Sequence, residues 1–216
     1  WLCIVESNDQ KQNGSFLPMA KGEDIFFKKI TTKMEWIELK ETKRQNWLPF
    51  LIDDSQVLWN ASSGGHVGVV ERILEVIGIN VNVAGGGDST PLYVASDNGH
   101  VDIVNVLLTA KDINVNQSSK EGLTPLYVAS QNGDVNIVKI LLAAKDININ
   151  QANNDGCTPL YVASQNGHID VVQQLLTMND INLNKDLEGT SPLQIAIVDK
   201  HIEIIQLLKD AGATYK

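Results

Sequence analysis

The chain has 216 residues, of which 43% are hydrophobic and 20% charged, a composition typical of a folded protein and not of a disordered or fibrous one. Its formal net charge of -9 repels phosphate backbones, so we expect no nucleic-acid partner. Its apolar runs are far shorter than the roughly 20 residues of a membrane-spanning helix, so we expect no insertion into a membrane.

Cysteine usage indicates a reducing compartment. Cys3 and Cys157 lie far apart and do not make a disulfide framework. We therefore expect a cytoplasmic protein. The chain begins at Trp1 and not at Met, so we interpret it as a fragment of a longer protein.

Residues 1–54 predict a small all-β domain. Short apolar stretches separated by polar turns are typical of strands, and several of them in about fifty residues favour a small barrel. The strands are predicted at residues 25–30, 34–39 and 47–52. The order of Ala20 to Glu23, then Trp36-Ile37, then Trp47 to Pro49 resembles an SH3 domain. This resemblance implies a degenerate SH3-like barrel whose possible peptide groove retains Trp36 and Pro49; a plain β cap over the first repeat is the open alternative.

From residue 55 onward the sequence is a tandem repeat. The heptapeptide Thr-Pro-Leu-Tyr-Val-Ala-Ser begins at Thr90, Thr124 and Thr158, at intervals of 34 residues, and a weaker copy begins at Ser191. Residues 58–66 keep only the second half of the unit. A period between 20 and 50 residues predicts a solenoid, in which neighbouring units bury each other's apolar faces.

Each unit predicts two helices and a connector. Thr is a good N-cap, Pro suits the first helical position, and Gly such as Gly99 tolerates the left-handed conformation that ends a helix. Apolar residues at helical spacing predict the second helix over residues 101–108. The alternating stretch 112–116 predicts an extended connector, and Glu121-Gly122 predicts a turn.

These motifs resemble the ankyrin repeat, whose pattern has a Gly-x-Thr-Pro-Leu-His start, a Gly-His between the helices and an apolar second helix. The resemblance implies an α-solenoid of about five repeats over residues 55–216. Their predicted bounds are 55–86, 87–120, 121–154, 155–187 and 188–216.

The chain departs from the family pattern at two kinds of position. Tyr93, Tyr127 and Tyr161 stand where the family has His. Asp88 and Lys200 stand where it has a glycine with positive φ, and Lys in that conformation costs about 1 kcal/mol. We therefore interpret the repeat that contains Lys200 as the C-terminal cap of the array.

The candidate chemical groups predict no catalytic, cofactor or metal site. Histidines at one position of successive repeats lie about 8–10 Å apart, whereas zinc ligands converge to about 2 Å from one ion. These histidines are His66, His100, His168 and His201. Cys157 stands at a variable turn position with no sign of an activated thiolate. We therefore expect a protein that is not an enzyme.

The resemblance implies a concave groove for a partner protein, lined by the ends of the first helices and by the turn tips. Carried over to this sequence, the groove positions are Asp97, Asn98, Lys120, Gln131, Asn132, Asn153, Asn154, Gln165, Asn166, Asp186 and Asp199. Nine basic and seventeen acidic residues between 55 and 216 give this part a net charge of -8. Complementary charge therefore favours a basic or extended partner.

The sequence thus predicts a non-enzymatic protein–protein interaction module, a scaffold or adaptor whose acidic groove holds another protein. Two alternatives stay open: an SH3-like adaptor that reads proline-rich peptides with the repeat array as spacer, and the targeting arm of a larger enzyme. The oligomeric state stays open as well.

Overall fold

The computed structural model describes residues 54–75, 78–185 and 190–214. The described residues form ten α-helices and one short 3-10 helix, Gly86–Asp88. The helices are α1 Asp54–Ser63, α2 Val67–Leu74, α3 Pro91–Asp97, α4 Val101–Leu108, α5 Pro125–Asn132, α6 Val135–Leu142, α7 Pro159–Gln165, α8 Ile169–Leu176, α9 Pro192–Val198 and α10 Ile202–Asp210. The predicted β domain, with Trp36 and Pro49, lies outside the described residues, apart from Asp54 at the start of α1.

Two layers of helices make up the array. The first helices of the repeats, α1, α3, α5, α7 and α9, pack side by side in one layer, and the second helices pack side by side in the other. Each first helix also packs against the second helix of its own repeat. The predicted α-solenoid is therefore confirmed over the described part of residues 55–216.

The predicted N-caps start the first helices. The side chains of Thr90, Thr124 and Thr158 accept a hydrogen bond from the backbone N–H three residues later, at 3.1, 3.1 and 3.2 Å, and Pro follows each of them. In α9 the cap is reciprocal, because Ser191 N–H also donates to Gln194 Oε1 at 2.6 Å. These local signals fix the register of each repeat in the same way.

The two departures from glycine keep the backbone conformation that glycine would have. Asp88 has φ +58°, close to Gly122 at +80° in the next repeat, and Lys200 has φ +62°, close to Gly167 at +78°. Both residues therefore lie in the left-handed region, which is strained for a residue with a Cβ. The array keeps its geometry at these positions at the expense of local strain.

One continuous apolar core lies between the two layers. It runs from Leu58 in α1 to Leu208 in α10, and both side chains are fully buried. Where the first helices approach their neighbours the core residue is a fully buried alanine, and these alanines are Ala95, Ala129, Ala163 and Ala196. Small residues at these positions allow the helix layers to pack closely.

A ladder of amides joins the connectors of successive repeats. Its rungs are Asn82, Asn116 and Asn150, which we call the amide ladder. Each rung donates its Nδ2 to an aspartate carbonyl of the next repeat, at 2.6, 2.7 and 2.7 Å. Each also accepts, at Oδ1, a backbone N–H of the next repeat, at 2.7, 2.8 and 2.8 Å. The connectors are therefore held together by side chains, a role that the alternating pattern of the sequence did not indicate.

Candidate partner-binding site

The layer of first helices carries the same two side-chain positions in every repeat. The first position holds Trp59, Tyr93, Tyr127, Tyr161 and Gln194, and the second, four residues later, holds Ser63, Asp97, Gln131, Gln165 and Val198. Residues four apart lie on one face of a helix. We call Tyr93, Tyr127 and Tyr161 the tyrosine row, and this row together with Asp97, Gln131 and Gln165 the tyrosine face.

The tyrosine row packs outside the main core. Tyr127 and Tyr161 are 6% and 5% exposed, and Tyr93 is half-buried. Tyr127 belongs to a separate small apolar cluster, against which Leu123 and Cys157 of the turns also pack. Tyr93 and Tyr127 therefore pack in a small apolar cluster between the first helices and the turns.

The tyrosine hydroxyls have no partner within the described residues. The hydrogen bonds that Tyr93, Tyr127 and Tyr161 make there come from their backbone N–H groups and not from the hydroxyls. In the same part of the chain, the side-chain oxygens that are both enclosed and unpartnered belong to Ser62 and Ser130. The three hydroxyls therefore reach an accessible surface, where each can still donate a hydrogen bond.

Trp59 closes one end of the row. Its Nε1 donates to the carbonyl of Ser89 at 3.0 Å and lies 3.1 Å from the Ser89 hydroxyl. Its ring covers Gly85 so closely that a Cβ on that residue would lie 2.4 Å from the indole. Unlike the tyrosine hydroxyls, the indole N–H of Trp59 already donates a hydrogen bond within the chain.

Carboxylates surround the first two tyrosines. Burial raises the pKa of Tyr93, and the nearby charges of Asp97 and Glu121 raise it further. For Tyr127, burial acts together with Cys157 and Asp155 and raises the pKa to about 12. Both hydroxyls therefore stay protonated over the physiological pH range and remain hydrogen-bond donors.

The third tyrosine has a similar surrounding. Burial raises the pKa of Tyr161, with smaller contributions from Cys157 and from Asp199 at the end of α9. On the turn side of the row, the Ser119 hydroxyl donates to Glu121 Oε2 at 2.9 Å and holds the pKa of Glu121 below its usual range. The carboxylates that raise the tyrosine pKa values give the row a negative potential at neutral pH; they are Asp97, Glu121, Asp155 and Asp199.

The asparagines at the ends of the first helices, which the sequence predicts to contact a partner, bridge neighbouring repeats. Asn98, Asn132 and Asn166 donate their Nδ2 to carbonyls of the preceding repeat, at 3.1, 2.9 and 2.9 Å. Asp199 stands at the same position of the last repeat and is exposed. These amides thus have a structural use that their exposed sequence position did not indicate.

The predicted turn asparagines also make hydrogen bonds within the chain. Asn153 Oδ1 accepts the backbone N–H groups of Cys157 and Asp155, at 2.8 and 3.1 Å. Asn154 donates its Nδ2 to the carbonyl of Lys120 at 2.9 Å. Their side chains shape the turns and join them to one another.

Other predicted groove residues keep exposed side chains. Asp97, Lys120, Gln131 and Gln165 are all exposed, whereas Asp186 lies outside the described residues. The side chains of Gln131 and Gln165 make no hydrogen bond within the described part of the chain, although their carbonyls accept bonds from the next repeat. Of the predicted set, these glutamines and Asp97 are the residues that lie on the tyrosine face.

The repeated histidines also bind the neighbouring repeat. Nε2 of His100, His168 and His201 lies 3.0, 2.8 and 2.9 Å from a carbonyl at the end of the preceding first helix. This agrees with the structural role that their repeated position predicts. Among residues 54–75, 78–185 and 190–214, no three His, Cys, Asp or Glu side chains converge where they could hold a metal ion.

Cys157 lies in a surrounding that suppresses its reactivity. Burial, and after it the charge of Asp155, raises the pKa of the thiol. A nucleophilic cysteine needs a lowered pKa, because the thiolate is the reacting form. The environment of Cys157 therefore favours the inert thiol.

One depression lies elsewhere, between two successive connectors. It has a volume of about 400 Å³ and is lined by Ile147 to Asn150 and by Met178 to Asp180 of two successive connectors. Its walls are the backbone and side chains that the amide ladder joins. We place the candidate site at the tyrosine face instead, because the tyrosine hydroxyls and the side chains of Gln131 and Gln165 make no hydrogen bond within the described residues.

Sequence reasoning missed the tyrosine row as a binding surface. It noted the three tyrosines only as departures from histidine. The available signal was their position four residues before the predicted groove residues, which places each ring beside one of them on the same helix face.

Two layers of stacked helix pairs, with one face of accessible polar groups, define a helical repeat protein of the kind that binds other macromolecules. The family model described as ankyrin repeats (3 copies) matches residues 37–119, 58–153, 111–185 and 127–216. These matches extend over most of the sequence, and the chain belongs to the ankyrin repeat family. They begin at residue 37, within the segment for which an SH3-like barrel was predicted. No curated protein matches the chain.

Family membership sets the general role. Ankyrin repeats are protein–protein interaction modules and are typically not catalytic. Within the described residues, the helices are too short or too polar to cross a membrane.

Proposed function

We propose that this protein is a non-enzymatic scaffold or adaptor that binds a partner protein on the acidic tyrosine face of its ankyrin array. The observation that carries the proposal is the row of three tyrosines whose hydroxyls are accessible and unpartnered. Interface cores are enriched in tyrosine, because its large ring buries apolar area while its hydroxyl still forms a hydrogen bond.

The charge around the row supports a basic partner. Asp97, Glu121, Asp155 and Asp199 all act on the tyrosine hydroxyls. Complementary charge speeds encounter and fixes orientation, and salt screens it. We therefore expect the affinity for the partner to fall as ionic strength rises.

The proposal is tested by selecting ligands from a phage-displayed library of random peptides on the full chain. The enriched peptides should be basic. They should lose binding when Asp97→Arg, Gln131→Arg and Gln165→Arg are introduced together, because three arginines then cover the face with the wrong charge. Circular dichroism should show that the triple variant stays folded, since all three side chains are exposed.

A matched control places the same charge change on the other layer. Glu71, Asn105 and Gln173 occupy one exposed position of the second helices in three repeats. The variant Glu71→Arg, Asn105→Arg and Gln173→Arg should keep the selected ligands. Ligands that survive the first triple variant, or are lost equally in both, would place binding elsewhere and refute the proposal.

A further inference from the structure

We propose that the occupant of the tyrosine face is a polyproline II segment of the partner that carries a lysine or arginine at every third residue. This inference rests on the proposed function and names the kind of ligand that the same face takes. It is carried by the spacing of the repeats, the unpartnered tyrosine hydroxyls and the carboxylates beside them.

The repeat spacing matches the pitch of one backbone conformation. Packed helices lie about 8–10 Å apart, so equivalent side chains of neighbouring first helices are separated by about that distance. A polyproline II helix has three residues per turn and rises about 3.1 Å per residue, hence about 9.3 Å per turn. Its residues i, i+3 and i+6 therefore point the same way and can each face one repeat. A β-strand does not fit in this manner, because its side chains alternate with a period of two.

The tyrosine hydroxyls are hydrogen-bond donors for the carbonyls of a polyproline II segment. A polyproline II helix has no internal hydrogen bonds, so its carbonyls need donors from outside. Tyr127 and Tyr161 are more than nine-tenths buried, yet their hydroxyls have no partner within the described residues. Tyr93 repeats the arrangement one repeat earlier. Three donors at a constant interval can thus meet three carbonyls at a constant interval.

The carboxylates select the side chain at each third position. Asp97 and Glu121 both act on the Tyr93 hydroxyl, and Asp155 acts on the Tyr127 hydroxyl. A cation that lies beside such a carboxylate gains a charge-assisted ion pair. Lysine and arginine supply that cation, whereas an acidic or neutral side chain leaves the carboxylates unpaired.

The row sets the length of the segment. In the first repeat, Trp59 Nε1 already donates to the carbonyl of Ser89. In the last repeat, Gln194 takes the place of tyrosine. The open row therefore holds three tyrosines, which corresponds to a segment of about nine residues at three residues per turn.

The test compares two fluorescein-labelled peptides of equal length, charge and composition. One repeats Arg-Pro-Pro four times; the other repeats Arg-Arg-Pro-Pro-Pro-Pro twice and breaks the three-residue spacing. Fluorescence anisotropy with the full chain should show the regular peptide binding about tenfold tighter, a difference that corresponds to one decade of Kd. Equal affinities, or no binding of either peptide, would overturn the inference.

Two variants separate the hydroxyls from charge. Tyr127→Phe keeps the ring and removes one donor, and it should weaken the regular peptide by about threefold to tenfold while leaving the irregular peptide unchanged. Asp155→Asn should weaken both peptides, whereas Asp102→Asn on the exposed surface of α4 should weaken neither. A regular peptide that binds Tyr127→Phe with unchanged affinity would also overturn the inference. In all these outcomes the proposed function is decided separately, by whether library-selected ligands depend on the tyrosine face.

Discussion

The connectors and the first helices of this array repeat with the same period. They differ in whether their repeated polar side chains are hydrogen-bonded within the chain. Along the connectors, each rung of the amide ladder uses its oxygen and its nitrogen on the next repeat, as Asn116 does with Asn148 and Asp146. Along the first helices, the hydroxyl of Tyr127 makes no hydrogen bond to another described residue. A polar group that is fully paired within the chain contributes to stability, whereas one left accessible is available to a ligand. The comparison separates side chains that join the repeats from side chains that stay available to the partner that we propose.

The strongest way to test this contrast is to remove two rungs of the amide ladder. The double change Asn116→Ala and Asn150→Ala deletes four hydrogen bonds between repeats. At roughly 0.5–1.5 kcal/mol for each bond, we expect the free energy of unfolding to fall by about 2–6 kcal/mol. Urea unfolding followed by circular dichroism measures this loss.

The matched control removes two asparagines that are not rungs. Asn105 and Asn136 are exposed on the second helices, so Asn105→Ala and Asn136→Ala together should change the free energy of unfolding by less than about 1 kcal/mol. If both double variants lost the same stability, the ladder would have no special role.

The second prediction concerns the close approach of the first helices. Ala129 is fully buried, so Ala129→Leu forces extra volume between α5 and its neighbours and should lower the free energy of unfolding by about 1–3 kcal/mol. Thermal melting measures the effect. Ala143 follows α6 and is exposed, so Ala143→Leu serves as the control and should leave the midpoint nearly unchanged. An unchanged midpoint for Ala129→Leu would mean that the helices can separate at that point.

The fold could be predicted from the sequence because its signals are local. Thr124 followed by Pro specifies where a helix starts, and the same pair recurs at the repeat period, so one correct assignment carries over to the other repeats. The apolar spacing in residues 101–108 likewise predicted α4. Both signals depend on neighbours in sequence, which a single chain displays directly.

The residues of the proposed binding site were harder to predict because they depend on contacts between repeats. Asn132 and Gln131 are adjacent, polar and exposed, and both were predicted to contact a partner. Only the position of the preceding helix shows that the Asn132 amide reaches the carbonyl of Asp97, while the Gln131 side chain makes no hydrogen bond to a described residue. The same limit applies to Tyr127, whose type suggests a buried hydroxyl with a partner within the chain. Sequence shows which polar groups are present, and packing decides which of them stay unpaired.

A third prediction uses the strained backbone at the last repeat. Lys200 has φ +62°, so Lys200→Gly should remove roughly 1–2 kcal/mol of left-handed strain and lose part of that gain to the greater freedom of glycine in the unfolded chain. We expect the free energy of unfolding to rise by about 0.5–1 kcal/mol.

A second lysine-to-glycine change shows whether the gain in stability comes from strain at Lys200 or from glycine in general. Lys209 lies inside α10 and is exposed, so Lys209→Gly should instead lower the free energy of unfolding by about 0.5–1 kcal/mol. Denaturant unfolding of the two variants should therefore shift in opposite directions. A loss of stability in Lys200→Gly would show that the Lys200 side chain contributes more than its backbone strain removes.

The smallest effect at neutral pH is expected on the tyrosine face. Tyr127→Phe removes a hydroxyl that has no described partner, so the free energy of unfolding at pH 7 should change by less than about 0.5 kcal/mol. The difference should appear at alkaline pH. The pKa of Tyr127 is about 12 in the folded chain, against an ordinary value of 10.0. The folded chain therefore holds this proton more tightly than the unfolded chain, and the resulting stability is complete below pH 10 and is lost as the pH rises toward 12. In urea unfolding, Tyr127→Phe should lose less stability than the parent chain between pH 9 and pH 11.5. Equal losses would show that folding does not raise the pKa of Tyr127. A large loss already at pH 7 would show that the Tyr127 hydroxyl is paired within the chain and is not available to a partner.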